Sequence, residues 1–118
     1  MEHNKEIEQL ALDLLDCQKI LSAIGDESRQ HIILEMLKRG DCSGARVGEI
    51  TERTSLSRPA VSHHLQILKE AGIVKVRKEG TKNYYYFDAD MKSFDKLIQM
   101  LTNAKDIMMQ LPDRSGDD

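Results

Sequence analysis

No apolar run in the 118 residues approaches the roughly 18 needed to span a bilayer. The acidic opening Met1-Glu2-His3-Asn4-Lys5-Glu6 also lacks the basic and apolar regions of a signal peptide. A cytoplasmic protein with no membrane partner is therefore expected. Two cysteines, Cys17 and Cys42, cannot build a disulfide framework and are expected as reduced thiols. Aromatic residues are few, at 4% of the chain. There is no Gly-rich phosphate loop, no Ser/His/Asp pattern in plausible context and no acid pair in a recognisable motif, so the common enzyme classes are excluded and no cofactor is implied. The length suits one domain, residues 1–112, followed by a polar tail, 113–118, that is expected to be disordered.

What the chain does contain is concentrated in one stretch. Ser57 is a good N-cap, Pro59 falls in the first turn, where its missing N–H has no intrahelical partner to lose, and Gly72 closes the helix. Val61, Leu65 and Leu68 follow the i, i+4, i+7 spacing of a buried stripe. Arg58, Ser62, Gln66 and Lys69 are left on another face, with His63 beside it. Short, donor-rich side chains in the first two turns suit a helix that reads base edges in the major groove. Upstream, Val47-Gly48-Glu49-Ile50-Thr51-Glu52-Arg53-Thr54 makes a short helix with Val47 and Ile50 inward, and Thr54-Ser55-Leu56 is a tight connection. Downstream, Ile73–Lys78 and Asn83–Asp88 are strand-like runs joined by Glu79-Gly80-Thr81-Lys82. Helix, turn, helix and basic hairpin make a winged helix-turn-helix, and Arg77, Lys78 and Lys82 on the wing would meet phosphate or the minor groove.

The formal net charge of −3 is deceptive for such a protein. Residues 51–83 hold seven Lys or Arg against three Asp or Glu, a local +4, which leaves −7 on the remainder. Attraction to phosphate acts within a Debye length of roughly 8 Å, so the local charge decides.

The rest reads as helix. Glu6 to about Ala23 carries an apolar stripe of Ile7, Leu10, Ala11, Leu14, Leu15, Ile20 and Leu21, too broad for a single neighbour. After Gly25, Asp26-Glu27-Ser28 opens a helix running through Ile32, Ile33, Met36 and Leu37 to Gly40. A last helix spans Met91 to Leu111 with Phe94, Leu97, Ile98, Leu101, Ala104 and Met108 on one side. Amphipathic helices at both ends exceed what a monomer needs, so Ile7, Leu10, Leu14, Phe94, Leu97, Leu101 and Met108 are expected at a homodimer interface. Such a dimer presents two recognition helices to half-sites roughly 34 Å apart on an inverted-repeat operator. The other possibility is that the terminal helices simply cap the core.

With these pieces placed, residues 18 to 88 resemble the ArsR/SmtB-type bacterial transcriptional repressors. The resemblance is carried by Leu21-Ser22-Ala23-Ile24-Gly25-Asp26-Glu27-Ser28-Arg29 leading into Ile33-Leu34, then Val47-Gly48-Glu49-Ile50. It continues through Ser62-His63-His64-Leu65 with Leu68, Gly72 and Val74, and ends in Glu79-Gly80 followed by tyrosines. It implies a mainly α, dimeric winged helix-turn-helix protein that binds double-stranded DNA and releases it when an inducer binds, here a small molecule or a redox event. It also implies operator reading by Arg58, Ser62 and His63, with Ser57 and Gln66 nearby. A glutamine is usual where Arg58 stands. Arg58 has the geometry for a bidentate contact to guanine N7 and O6, worth about 1–3 kcal/mol of discrimination.

Many relatives sense metals, and this chain departs from them. The helix before the turn holds Gly48-Glu49-Ile50 in place of a Cys-x-Cys, and no histidine follows His64. Asp95 and Asp106 alone are hard ligands unsuited to zinc or copper, so no metal site is expected. Cys42, in a small-residue loop beside the helix-turn-helix, is the candidate redox position. His31 and Cys17 are expected as partly buried structural residues, His64 as a packing or phosphate residue, and Arg29 in an internal salt bridge. Tyr84-Tyr85-Tyr86 either packs on the core or stacks on a ligand, with packing favoured. A winged-helix protein-interaction module without DNA affinity is the alternative function.

Overall fold

The computed structural model describes residues 2–40 and 43–112. Cys42 and the tail at 113–118 lie outside them. Six helices and one hairpin follow in order: α1 (Glu2–Asp16), α2 (Gln18–Ile24), α3 (Glu27–Arg39), α4 (Val47–Arg53), α5 (Arg58–Glu70), β1 (Val74–Glu79), β2 (Lys82–Phe87) and α6 (Lys92–Met109).

The single N-terminal helix expected from Glu6 to Ala23 is two. Cys17 leaves helical geometry (φ −94°, ψ 5°) and its N–H is shared between the carbonyls of Asp13 and Leu14 at 3.0 and 3.2 Å. The break lets the two halves of the broad stripe face different neighbours. α1 packs on α6, while α2 turns Ile20 and Ala23 into the core against α3, α5 and α6. Cys17 is buried at the joint, 1% exposed.

Local chemistry sets the ends of the central helices. Asp26 Oδ1 accepts from the Arg29 N–H at 3.0 Å and caps α3, and Ser57 Oγ accepts from the Ala60 N–H at 3.3 Å and caps α5. Gly72 follows α5 in the left-handed region (φ +79°), and a Cβ there would lie 2.5 Å from Ser93 Oγ. Only glycine satisfies both the turn and the close approach of α6. Val61, Leu65 and Leu68 are fully buried, as the stripe requires, and join Ile32, Ile50, Ile73 and Val74 in the core.

Leu97 is corrected. It was expected at a dimer interface, but it is 4% exposed and packs in this core with Met100, because α6 lies along α2 and aims both residues inward. Leu10 and Phe94 are partly buried against the same core. Ile7, Leu14, Leu101 and Met108 remain exposed, joined by Leu15, Ile98 and Met109.

The hairpin pairs Val74 with Phe87 through to Glu79 with Lys82, closing on Gly80-Thr81. Gly80 has φ +62°, the backbone that a two-residue hairpin turn needs. Ala45 adds a short bridge to its outer strand: its N–H and carbonyl each pair with Tyr85 at 2.8 Å. The wing is thereby fixed to the connection between α3 and α4.

Candidate nucleic-acid interface

α4 and α5 are joined by residues 54–57 and pack on each other, with Ile50 of α4 buried against the α5 stripe. Opposite that stripe, Ser57, Arg58, Ser62, His63, Gln66 and Lys69 are all exposed. The structure thus gathers every α5 candidate on the solvent side of one helix. Two of them have intramolecular neighbours: Gln66 Nε2 donates to Glu70 Oε1 at 3.1 Å, and the Arg58 guanidinium lies over Gly48, where a Cβ would come within 3.5 Å of it. A bulkier residue at position 48 would crowd Arg58.

On the wing, Lys78 and Lys82 stand exposed on opposite strands near the tip. Arg77 differs. Its Nε donates to Glu79 Oε1 at 3.0 Å, a terminal nitrogen donates to the Ser43 carbonyl at 2.8 Å, and its guanidinium sits 5.0 Å above the Tyr84 ring. These contacts bind the wing to the residues before α4 and hold Arg77 along the strand. Tyr85 packs on the core, so within the tyrosine run Tyr84 and Tyr85 have structural partners.

Three expectations about single residues change or sharpen. His31 is exposed on α3, its Nε2 3.5 Å from Glu35 Oε1, and is not partly buried. It lies one position off the Arg29, Ile32, Met36 stripe and so faces water. Glu35 is held below the usual carboxylate range, first by the hydrogen bond from Lys38 and then by the charges of Lys38 and His31.

Arg29 does not bond a carboxylate through its side chain. It is 8% exposed, and its guanidinium donates to the carbonyls of Ala23 and Ser22 at 2.8 and 2.9 Å and meets His64 Nδ1 at 3.1 Å. Its position in the sequence carried the signal, since 29, 32, 33 and 36 form one i, i+3, i+4, i+7 series and Arg29 is the charged member of a buried stripe. His64 is the partly buried member of the His63-His64 pair, with the two ring centroids 5.9 Å apart.

Among the described residues no three His, Cys, Asp or Glu side chains are grouped to hold a metal, and no helix is long and apolar enough to cross a membrane.

Comparisons with known proteins fit this architecture. Residues 27–76, from the start of α3 into the wing, match the model of the bacterial regulatory protein arsR family. An uncharacterized HTH-type transcriptional regulator of Methanocaldococcus jannaschii is 42% identical over 84 residues, covering 70% of this chain and 91% of that protein. The transcriptional repressor SdpR of Bacillus subtilis is 39% identical over 66 residues, covering 56% and 69%. Among solved structures, the homodimeric winged helix-turn-helix DNA-binding domain of a possible ArsR-family regulator from Mycobacterium bovis superposes with a TM-score of 0.56 at 30% identity, over 76% of this chain and 82% of that one. Helix-turn-helix, wing, family match and relatives agree: the chain belongs to the ArsR family and is a winged helix-turn-helix transcriptional regulator, not an enzyme.

Proposed function

We propose that the protein is a homodimeric, sequence-specific DNA-binding repressor that occupies an inverted-repeat operator beside its own gene and is released by an effector, either a small molecule or a redox event. The observation that carries this function is the exposed donor face of α5 beside the lysines of the wing, set on a domain whose charge there is opposite to that of the rest. Arg58, Ser62 and His63 are the proposed base-reading residues, with Ser57, Gln66 and Lys69 flanking them. Lys78 and Lys82 are the proposed phosphate contacts, and Arg77 supports the wing that carries them. The repressor activity named for SdpR and the homodimer named for the Mycobacterium bovis domain support the same assignment. So does the row of exposed apolar residues on α1 and α6, a surface of the kind that a second copy covers. An effector that shifts these helices changes the spacing of the two recognition helices, and a coupling of about 1–3 kcal/mol between the sites would be ordinary.

The test is to enrich binding sites from a random-sequence duplex pool with the full-length protein. An inverted repeat with half-site centres roughly 34 Å apart is expected. Arg58→Ala should then cost about 1–3 kcal/mol and relax the preference at one base pair of each half-site. An unchanged preference at every position would remove Arg58 from the base-reading set.

A further inference from the structure

DNA reading by α5 leaves the buried guanidinium of Arg29 unexplained. A guanidinium has five N–H donors and no acceptor. Two of its nitrogens donate to the Ala23 and Ser22 carbonyls in the last turn of α2, where carbonyls lack intrahelical partners. The third, Nη1, lies 3.1 Å from His64 Nδ1 in the middle of α5. Because Arg29 only donates, Nδ1 must accept, which assigns His64 as the neutral imidazole with its proton on Nε2. One side chain of α3 thus ties the end of α2 to the helix that carries Arg58, Ser62 and His63.

We propose that Arg29 and His64 form a clamp that positions α5 for DNA reading only while His64 is neutral, so that operator binding weakens as the pH falls. Arg29 is here a positioning residue, and the proposal rests on the DNA-binding function above. Protonation of Nδ1 would aim an N–H at Nη1, setting donor against donor and cation against cation. The charged and titratable groups facing His64 are Arg29 and Asp26 from α3 and His63 from its own helix; α2 presents only carbonyls, to Arg29. Burial is the largest influence and pushes the His64 pKa down, Arg29 and His63 push the same way, and Asp26 opposes them. The sign follows. The folded protein takes up this proton less readily than the unfolded chain, so the clamp is complete above the ordinary histidine value of 6.5 and is lost as the pH falls from there through the lower folded-state value.

His63 is exposed on the DNA side, and a phosphate near it would favour its charged form and tighten binding at low pH. The measurement is therefore made in the His63→Gln protein, full length, on a duplex that this protein enriches from a random pool. Affinity is read at about pH 8 and about pH 5.5, the range over which histidine titrates. A loss of about fivefold or more toward low pH is expected, the lower end of ordinary coupling between sites. Adding His64→Asn should abolish that loss, since its Oδ1 takes the place of Nδ1 as an acceptor that does not titrate. In the free protein, NMR of the His64 ring should give a midpoint below the ordinary value that rises in Arg29→Gln. An equal pH loss with and without His64→Asn would overturn the clamp, and so would an ordinary His64 midpoint. Absence of selective binding at the higher pH would instead refute the DNA-binding function, and the ring titration would then decide the clamp independently.

Discussion

Leu101→Glu is expected to convert the protein to a monomer and to weaken its binding to a two-half-site operator by about 10²- to 10⁴-fold, the avidity lost when two linked binding events become one. Leu101 is 52% exposed on α6, in a surface shared with Ile98, Met108 and Met109 and continued on α1 by Ile7, Leu14 and Leu15. Exposure of so many large apolar side chains on two neighbouring helices costs the isolated subunit solubility and is relieved by a symmetric partner. A carboxylate placed there is harmless to the subunit, because the position faces water. In a dimer it would be buried twice without a counter-charge. Sedimentation should therefore give a monomer with an unchanged circular dichroism spectrum, and affinity for a single half-site should stay near that of the parent. A variant that remained dimeric would move the interface off this face.

The second large effect concerns the core. Leu65→Ala should lower the unfolding free energy by about 2–5 kcal/mol, the range for deleting a buried leucine whose surroundings cannot collapse onto the gap. Leu65 is fully buried between Val61 and Leu68 on α5, among Ile32, Ile50 and Ile73 from three other parts of the fold. Native domains hold only about 5–15 kcal/mol in total, so this one change removes a large share of it. Urea unfolding should show a lower midpoint with the slope preserved. A loss below about 1 kcal/mol would mean that α5 is less central to the core than its burial indicates.

These two sites also show what was legible before any coordinates. Val61, Leu65 and Leu68 declared the inner face of α5 through periodicity alone, and Ser57, Pro59 and Gly72 marked its ends, because caps and stripes are local physics. The wing was legible for the same reason: two β-prone runs flank a glycine-containing turn. The break at Cys17 was not, since the stripe continues through it and only the different directions of α6 and the core divide it. Leu97 and Leu101 look alike in sequence, four positions apart on one helix, and what separates core from surface there is where α2 lies. Arg77 read as a free cation because its partners, the Ser43 carbonyl and the Tyr84 ring, come from chain geometry. Arg29 was misassigned to a carboxylate although it sits on a buried stripe. The backbone carbonyls that satisfy it leave no trace in residue identity.

The account stands on DNA recognition through α5 and the wing, and the most direct measurement is fluorescence anisotropy of the full-length, reduced protein. It is titrated at several salt concentrations against its enriched duplex and a scrambled one. The expected result is tight binding to the first duplex only, with log affinity falling linearly in log salt, and a slope reduced by about 0.9 for each of Lys78→Ala and Lys82→Ala. Equal, weak binding to both duplexes, with a slope that neither substitution changes, would contradict the account and leave a winged-helix module that binds another protein.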